Sequence, residues 1–277
     1  MEFKIIRSDN IKLMLDAVAK AGKIILHHFS NMDQKLDIKQ KDSGEYVTNL
    51  DLTVEISIIR ILRVARPSYT FFTEEFCSAE SNLVSEYRWI IDPIDGTFNL
   101  IRENPNFGIS IALEKTNLNN GNSEIVACVI FLPMLHQLYW AEKNCGAFCI
   151  SAGIEKRIHF SNRTNWNDLL LASGESITWY KELIMSLINN RNLQIRITGS
   201  AVIDFAFVAS GKFDVLTQDS LKPWDIASGL LLCREAGGVV VNTSGNNANI
   251  YDSDIIVINP VLLDFLMSKG LFIKARR

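Results

Sequence analysis

The sequence predicts a layered fold of mixed α+β and α/β character, built as one body of 277 residues. Three observations carry this. Up to about residue 150, two helical segments with apolar stripes precede a run of strand-like segments joined by short turns, the pattern of helices packed on an antiparallel sheet. From about 151 to 277, strand-like and helix-like segments alternate, as in α/β architectures. No internal repeat, low-complexity tract or Pro/Gly/Ser linker separates the halves, so residues 1–277 read as a single domain.

Taken in order, Asp9 or Asn10 caps a helix running to about Phe29, with Ile11, Leu15, Val18, Gly22, Ile25 and Leu26 on one stripe. A polar stretch from Ser30 to Glu45 follows. A second helix runs from about Asp51 to Val64, turns Val54, Ile58, Ile61 and Leu62 inward, and stops before Pro67. Tyr69 to Thr73 is rich in aromatic and β-branched residues and reads as a strand. Trp89–Asp92, Gly108–Glu114, Glu124–Phe131 and His136–Glu142 are the next strands. Beyond Gly153 the expected elements are a strand at Leu169–Ala172, a helix near Thr178–Asn189 and a strand at Gln194–Ile197. A helix capped by Ser200 ends before Gly211, and Phe213–Thr217 is a strand. The helix Asp225–Glu235 is closed by Gly237-Gly238 into the strand Val239–Val241.

Composition narrows the function. With 48% hydrophobic and 21% charged residues there is ample material for a core. A net charge of −3 without a basic stripe argues against nucleic-acid binding, and the tail Lys274-Ala275-Arg276-Arg277 reads as a solvated end. The charged N-terminus lacks a signal-peptide core, and the longest apolar run, Ile125 to Leu135, contains Pro133 and is too short to span a bilayer. The expectation is a cytoplasmic protein with no membrane binding. Five cysteines (Cys77, Cys128, Cys145, Cys149 and Cys233) are an odd number and favour free thiols. The Cys145/Cys149 spacing does not fit a zinc ribbon, and His27-His28 has no supporting ligand pattern.

The most informative segment is Trp89-Ile90-Ile91-Asp92-Pro93-Ile94-Asp95-Gly96-Thr97. A buried strand ending in two acids is costly unless a cation sits there. Pro93 fixes its own φ and holds Asp92 extended, so the bend aims both acids and the Ile94 carbonyl at one point. Gly96 permits close backbone approach, and a helix starting at Thr97 offers N–H groups to a phosphate. Further acids, Asp51, Glu74-Glu75 and Asp225, stand at the ends of strands or starts of helices. Each has a plain structural reading: a turn for Asp95-Gly96, a solvated loop for Glu74-Glu75, a helix cap for Asp51, Asp92 or Asp225. Their joint occurrence points instead to oxygen-only ligands for Mg²⁺ and to metal-dependent phosphate chemistry.

On these residues the chain resembles the inositol monophosphatase family of Mg²⁺-dependent, lithium-sensitive sugar phosphatases, over about residues 10–260. The signature is Asp92-Pro93-Ile94-Asp95-Gly96-Thr97 after Trp89-Ile90-Ile91. Lys41, Val47-Thr48-Asn49-Leu50-Asp51, Thr73-Glu74-Glu75, Gly199-Ser200-Ala201, Pro223-Trp224-Asp225 and Glu235-Ala236-Gly237-Gly238 support it in order and spacing. The resemblance implies an αβαβα sandwich of the sugar-phosphatase type, a homodimer, and a site holding two or three Mg²⁺ ions. It implies Glu74, Asp92, Asp95, Asp225 and the Ile94 carbonyl as metal ligands, with Glu74 also counted among the catalytic residues. Thr97 and Asp51 orient the attacking water, the amides of Gly96 and Thr97 take the phosphate, and Glu75 and Lys41 support the cluster from outside. Asp95, Ala201 and Gln218 face the substrate. Two departures stand out. Thr97-Phe98-Asn99-Leu100 replaces a common Thr-Thr-Asn-Phe, and Gln218 stands where many inositol-cleaving relatives carry Glu, which weakens the case for inositol itself. The expected reaction is hydrolysis of a small phosphate monoester, foremost inositol-1-phosphate, by direct water attack. The rivals are phosphatases of histidinol phosphate, fructose-1,6-bisphosphate or 3′-phosphoadenosine 5′-phosphate, and a weakly active scaffold or interaction protein.

Overall fold

The computed structural model describes residues 7–30, 36–76, 85–165, 168–174 and 194–268. The expected helix at Thr178–Asn189, Cys77 and the basic tail lie outside the described residues.

Helix α1 spans Asp9–Ser30 and buries Ile11, Met14, Ala17, Val18, Ala21, Gly22 and Ile25. Leu15 and Leu26 of the expected stripe are only half-buried, and the inward face holds several small residues because the helix lies close to the sheet. A Cβ on Gly22 would stand 2.1 Å from the Phe131 ring. The polar stretch after α1 contains a short strand, β1 (Ile38–Gln40), paired antiparallel with β2 (Tyr46–Thr48). Helix α2 covers Asn49–Ala65, and its cap is Thr48, not Asp51. The Thr48 hydroxyl accepts the Leu50 amide at 3.1 Å, while Asp51 reaches back to accept the Thr48 amide at 2.9 Å. This reciprocal box sets the helix start two residues before the expected one.

Seven strands follow in one sheet, ordered as in the chain: β3 (Thr70–Thr73), β4 (Tyr87–Asp95), β5 (Gly108–Thr116), β6 (Ser123–Leu132), β7 (Gln137–Glu142), β8 (Gly146–Ser151) and β9 (Ile154–Ile158). All neighbours are antiparallel except β3 and β4, which run parallel. A short helix α3 (Thr97–Ile101) leaves the end of β4. The second sheet has five strands in the order β11 (Gln194–Arg196), β10 (Leu170–Ser173), β12 (Val215–Gln218), β14 (Ile255–Ile258), β13 (Val239–Asn242). Its helices are α4 (Ala201–Ala209), α5 (Pro223–Glu235) and α6 (Pro260–Ser268). Strands β8, β9 and β14 and helix α6 extend the elements expected from sequence.

Side-chain alternation stacks the layers. Along β4, Trp89 and Ile91 enter the core formed with α1 and α2, whereas Ile90 faces α4 and α5. Along β14, Ile255 and Val257 join that same middle core, while Ile256 and Ile258 face Leu262 and Leu266 of α6. The order is therefore α1/α2, first sheet, α4/α5, second sheet, α6, an αβαβα sandwich as expected. No helix among the described residues is long and apolar enough to cross a membrane.

Candidate metal and phosphate site

The site begins with a miscount in β4. Asp92 pairs with Ser110 and Asp95 with Gly108, so three steps on β4 are matched by two on β5. Strict alternation would put Asp92 and Asp95 on opposite faces; the extra residue of this β-bulge returns them to the same one. Ile94 records the shift, packing with the α1/α2 core although it shares parity with Ile90. Pro93 is tolerated inside the strand because the ladder is already interrupted there.

Opposite this strand end, α5 starts with Pro223 and presents Asp225, which accepts the Lys222 amide at 2.7 Å. Asp225 is thus the third residue of the helix rather than its cap. Carboxylate oxygens of Asp92, Asp95 and Asp225 lie within 4.8 Å of one another. Asp92 is fully buried, and neither of its oxygens has a hydrogen-bond partner among the described residues. Asp95 is braced by the Ser200 hydroxyl and by the Val202 amide at 2.9 Å, both at the start of α4. Glu74, leaving β3, forms the next wall, and its amide donates to Ile91 O at 3.2 Å. Lys41 joins this wall from the β1–β2 hairpin, with Nζ 2.8 Å from Glu74 Oε1 and 2.8 Å from Glu75 Oε1. On the far side the Thr97 hydroxyl lies 2.9 Å from Asp51 Oδ1 and 3.0 Å from Ile94 O.

Packing so many acids out of water raises their proton affinity. Burial pushes Asp92 well above the usual carboxylate range, and the charges of Glu74, Asp95 and Asp225 add to it. Asp225 is likewise well raised, by burial and then by Asp95. Burial lifts Asp95 to about 6 against the Ser200 and Val202 donors, and Glu75 to about 7 against Lys41. Glu74 is also raised by burial, with Lys41 opposing. Lys41 moves upward too: burial works against its charge, but Glu74 and Glu75 outweigh it. An orphaned buried carboxylate, like charges in close quarters and an oxygen-only donor set together fit a hard divalent cation.

Two clefts meet at the cluster. One, of about 510 Å³, is lined by Glu74, Asp92, Asp95, Thr97, Asp225 and the hairpin residues Ser43 to Tyr46. Phe98, 55% exposed, packs at a tilt against Tyr46 at its rim. The other, of about 320 Å³, shares Asp95 and Asp225 and adds Ser200, Ala201, Asp204 and Gln218. Gln218 donates through Nε2 to Asp204 Oδ2 at 2.8 Å, and Asp204 also accepts the Thr198 hydroxyl at 2.8 Å. Asn99, in the departing signature, donates to Asn106 O at 2.7 Å and to Thr198 O at 2.9 Å, which ties the loop before Ser200 to α3. A larger cleft of about 910 Å³ lies along α5 and β13. It lacks a comparable acid cluster: Glu114 is paired with Arg88 and Glu124 with Lys143. The chemistry therefore favours the smaller pair of clefts. Every expected ligand and support residue lines these clefts or contacts a residue that does. Two buried acids beside this site are not among the expected residues: Asp204, and Glu55 on α2.

A family model for the inositol monophosphatase family matches residues 8–272. An inositol-1-monophosphatase from Mesorhizobium japonicum is 34% identical over 261 residues, covering 92% of this chain and 94% of its own. The Nus factor SuhB of Escherichia coli K12 is 32% identical, with 93% and 94% covered. Among solved structures, the extragenic suppressor protein suhB from Bartonella henselae superposes with a TM-score of 0.82 at 32% identity, covering 98% of this chain and 99% of that one. The IMPase of Thermotoga maritima gives 0.81 at 28% identity, covering 97% and 98%. The chain belongs to the inositol monophosphatase family.

Proposed function

We propose that this family member hydrolyses a small phosphate monoester, foremost inositol-1-phosphate, in a Mg²⁺-dependent reaction by direct attack of water. The observation that carries the reading is Asp92, a fully buried carboxylate with no donor among the described residues, beside two further acids. Asp92, Asp95, Asp225, Glu74 and the Ile94 carbonyl would hold the ions. Mg²⁺ held there would supply a lowered pKa for a water and compensating charge for the departing oxygen.

The remaining work falls to the chain itself. The Thr97 hydroxyl directs its proton to Asp51, which leaves the lone pairs of Oγ1 to accept a hydrogen bond from the water and align it. Asp51 keeps that direction because Thr48 holds its other oxygen. Amides of Gly96 and Thr97, at the turn where φ of Gly96 is 91°, take the phosphate oxygens. The second cleft, with Ala201 and Gln218, receives the alcohol. In this route water attacks phosphorus directly, and no covalent phosphoenzyme is formed.

A phosphate-release screen over inositol-1-phosphate, histidinol phosphate, fructose-1,6-bisphosphate and 3′-phosphoadenosine 5′-phosphate tests this, with and without Mg²⁺ and Li⁺. The expected result is Mg²⁺-dependent, Li⁺-sensitive release with inositol-1-phosphate as the best substrate. Release from none of the four overturns the reading. The family resemblance extends the proposal to a homodimer working in the cytoplasm, and sedimentation at micromolar concentration checks the assembly.

A further inference from the structure

Helix α2 carries a second inward carboxylate besides Asp51. Glu55, one turn further on, is fully buried among Val54, Ile58 and Leu62. Its two oxygens accept separate backbone amides, Oε2 from Glu75 at 3.1 Å and Oε1 from Phe76 at 2.9 Å. Those amides directly follow Glu74, whose own amide is held by Ile91 of β4, the residue before Asp92. The backbone of Glu74 is therefore pinned on both sides, by the sheet before it and by Glu55 after it. Such pinning matters because the forces on the Glu74 side chain pull outward. Asp92 and Asp225 repel it, and Lys41 draws it towards Glu75.

We propose that Glu55 is a positioning residue of the metal site: its carboxylate clamps the turn Glu74–Phe76 so that Glu74 stays beside Asp92. The proposal rests on the metal reading above. Partners that orient ligands from behind typically control metal affinity by about 10–100-fold. One helix would then set both walls of the site, Asp51 on the Thr97 side and Glu55 on the Glu74 side.

The test is Glu55→Gln, which keeps the shape but leaves a single acceptor for two amides. In metal-free protein, hydrogen exchange at the Glu75 and Phe76 amides should speed up relative to the parent. Calorimetric titration with Mg²⁺ should show about a tenfold loss of affinity, with phosphate release recovering at saturating Mg²⁺. Glu55→Asp keeps both acceptors one methylene short and should lose less; it also serves if the Gln variant does not fold. Faster exchange with unchanged Mg²⁺ affinity overturns the proposal and leaves Glu55 as a plain turn cap. A parent chain that takes up no Mg²⁺ overturns the metal reading and this one with it, whereas equal uptake by parent and variant removes only the clamp.

Discussion

Asp92 and Asp214 are hidden from solvent to the same degree, 0% and 1% exposed, yet they live in opposite surroundings. Asp214, just before β12, accepts the Ser161 hydroxyl, the Arg163 guanidinium at 3.1 Å and the Leu170 amide at 2.8 Å. Asp92 receives nothing from the described chain and faces three other acids. A buried carboxylate with a full set of donors fastens structure, whereas one without donors waits for a cation. Burial alone does not tell the two apart. The donor set does.

The comparison can be broken from either side. The largest effect is expected at the orphan: Asp92→Asn should lower Mg²⁺-dependent phosphate release by more than about a hundredfold, beyond the usual loss for an outer partner. The metal-free variant should unfold no earlier than the parent, because a repulsion has been removed; a thermal melt alongside the phosphate assay checks both. Asp214→Ala should do the reverse. It strands the Leu170 amide and the Ser161 hydroxyl, costing about 2–4 kcal/mol in urea unfolding, with Mg²⁺ uptake per folded molecule unchanged.

Gln218→Glu would turn a satisfied acid towards the orphan state, replacing the amide that serves Asp204 with a second carboxylate. A destabilisation of about 1–3 kcal/mol at pH 8, shrinking at pH 5, is expected from paired urea titrations. The smallest effect is the pH profile of the metal-free parent. Asp95 rises from 3.8 to about 6 and Glu75 from 4.5 to about 7 on folding, so the folded chain holds protons that the unfolded chain has released. Their contribution to stability is therefore full below these ordinary values and is lost as pH climbs through about 4 to 7. Melting a few degrees lower at pH 8 than at pH 5, with the gap closed by Mg²⁺, is the expected outcome. A flat profile would place these acids nearer to Asp214 in character.

Much of this was legible in the residues. The stop at Pro67, the Ser200 cap and the Gly237-Gly238 closure are local signals, and local chemistry decides them. The signature from Trp89 to Thr97 was legible because acids seldom follow an apolar run without reason. Strand β9 was not, because Ile154–Ile158 is largely exposed and alternates weakly, and it is held by pairing to β8 rather than by its own pattern. The plain reading of Asp51 as a cap misses that it is the reciprocal partner of one, a distinction set by backbone angles. Glu55 left a faint trace: an acid in the inward stripe of α2, four residues after Asp51 and three before Ile58. Nothing local separates it from a surface glutamate, since the amides that receive it come from twenty residues away.

The bulge at Pro93-Ile94 has a consequence for how this site tolerates change. Its two acids agree in direction because one of the residues between them is bulged out, not through the identity of those residues. A different apolar residue at Ile94 leaves the bulge intact, whereas a one-residue deletion there would match two steps on β4 to two on β5: both acids would still share a face, but the extra residue, whose carbonyl accepts the Thr97 hydroxyl at 3.0 Å, would be gone. The carbonyl beside the acids is thus held by chain length, which drift by substitution leaves untouched and a single deletion removes.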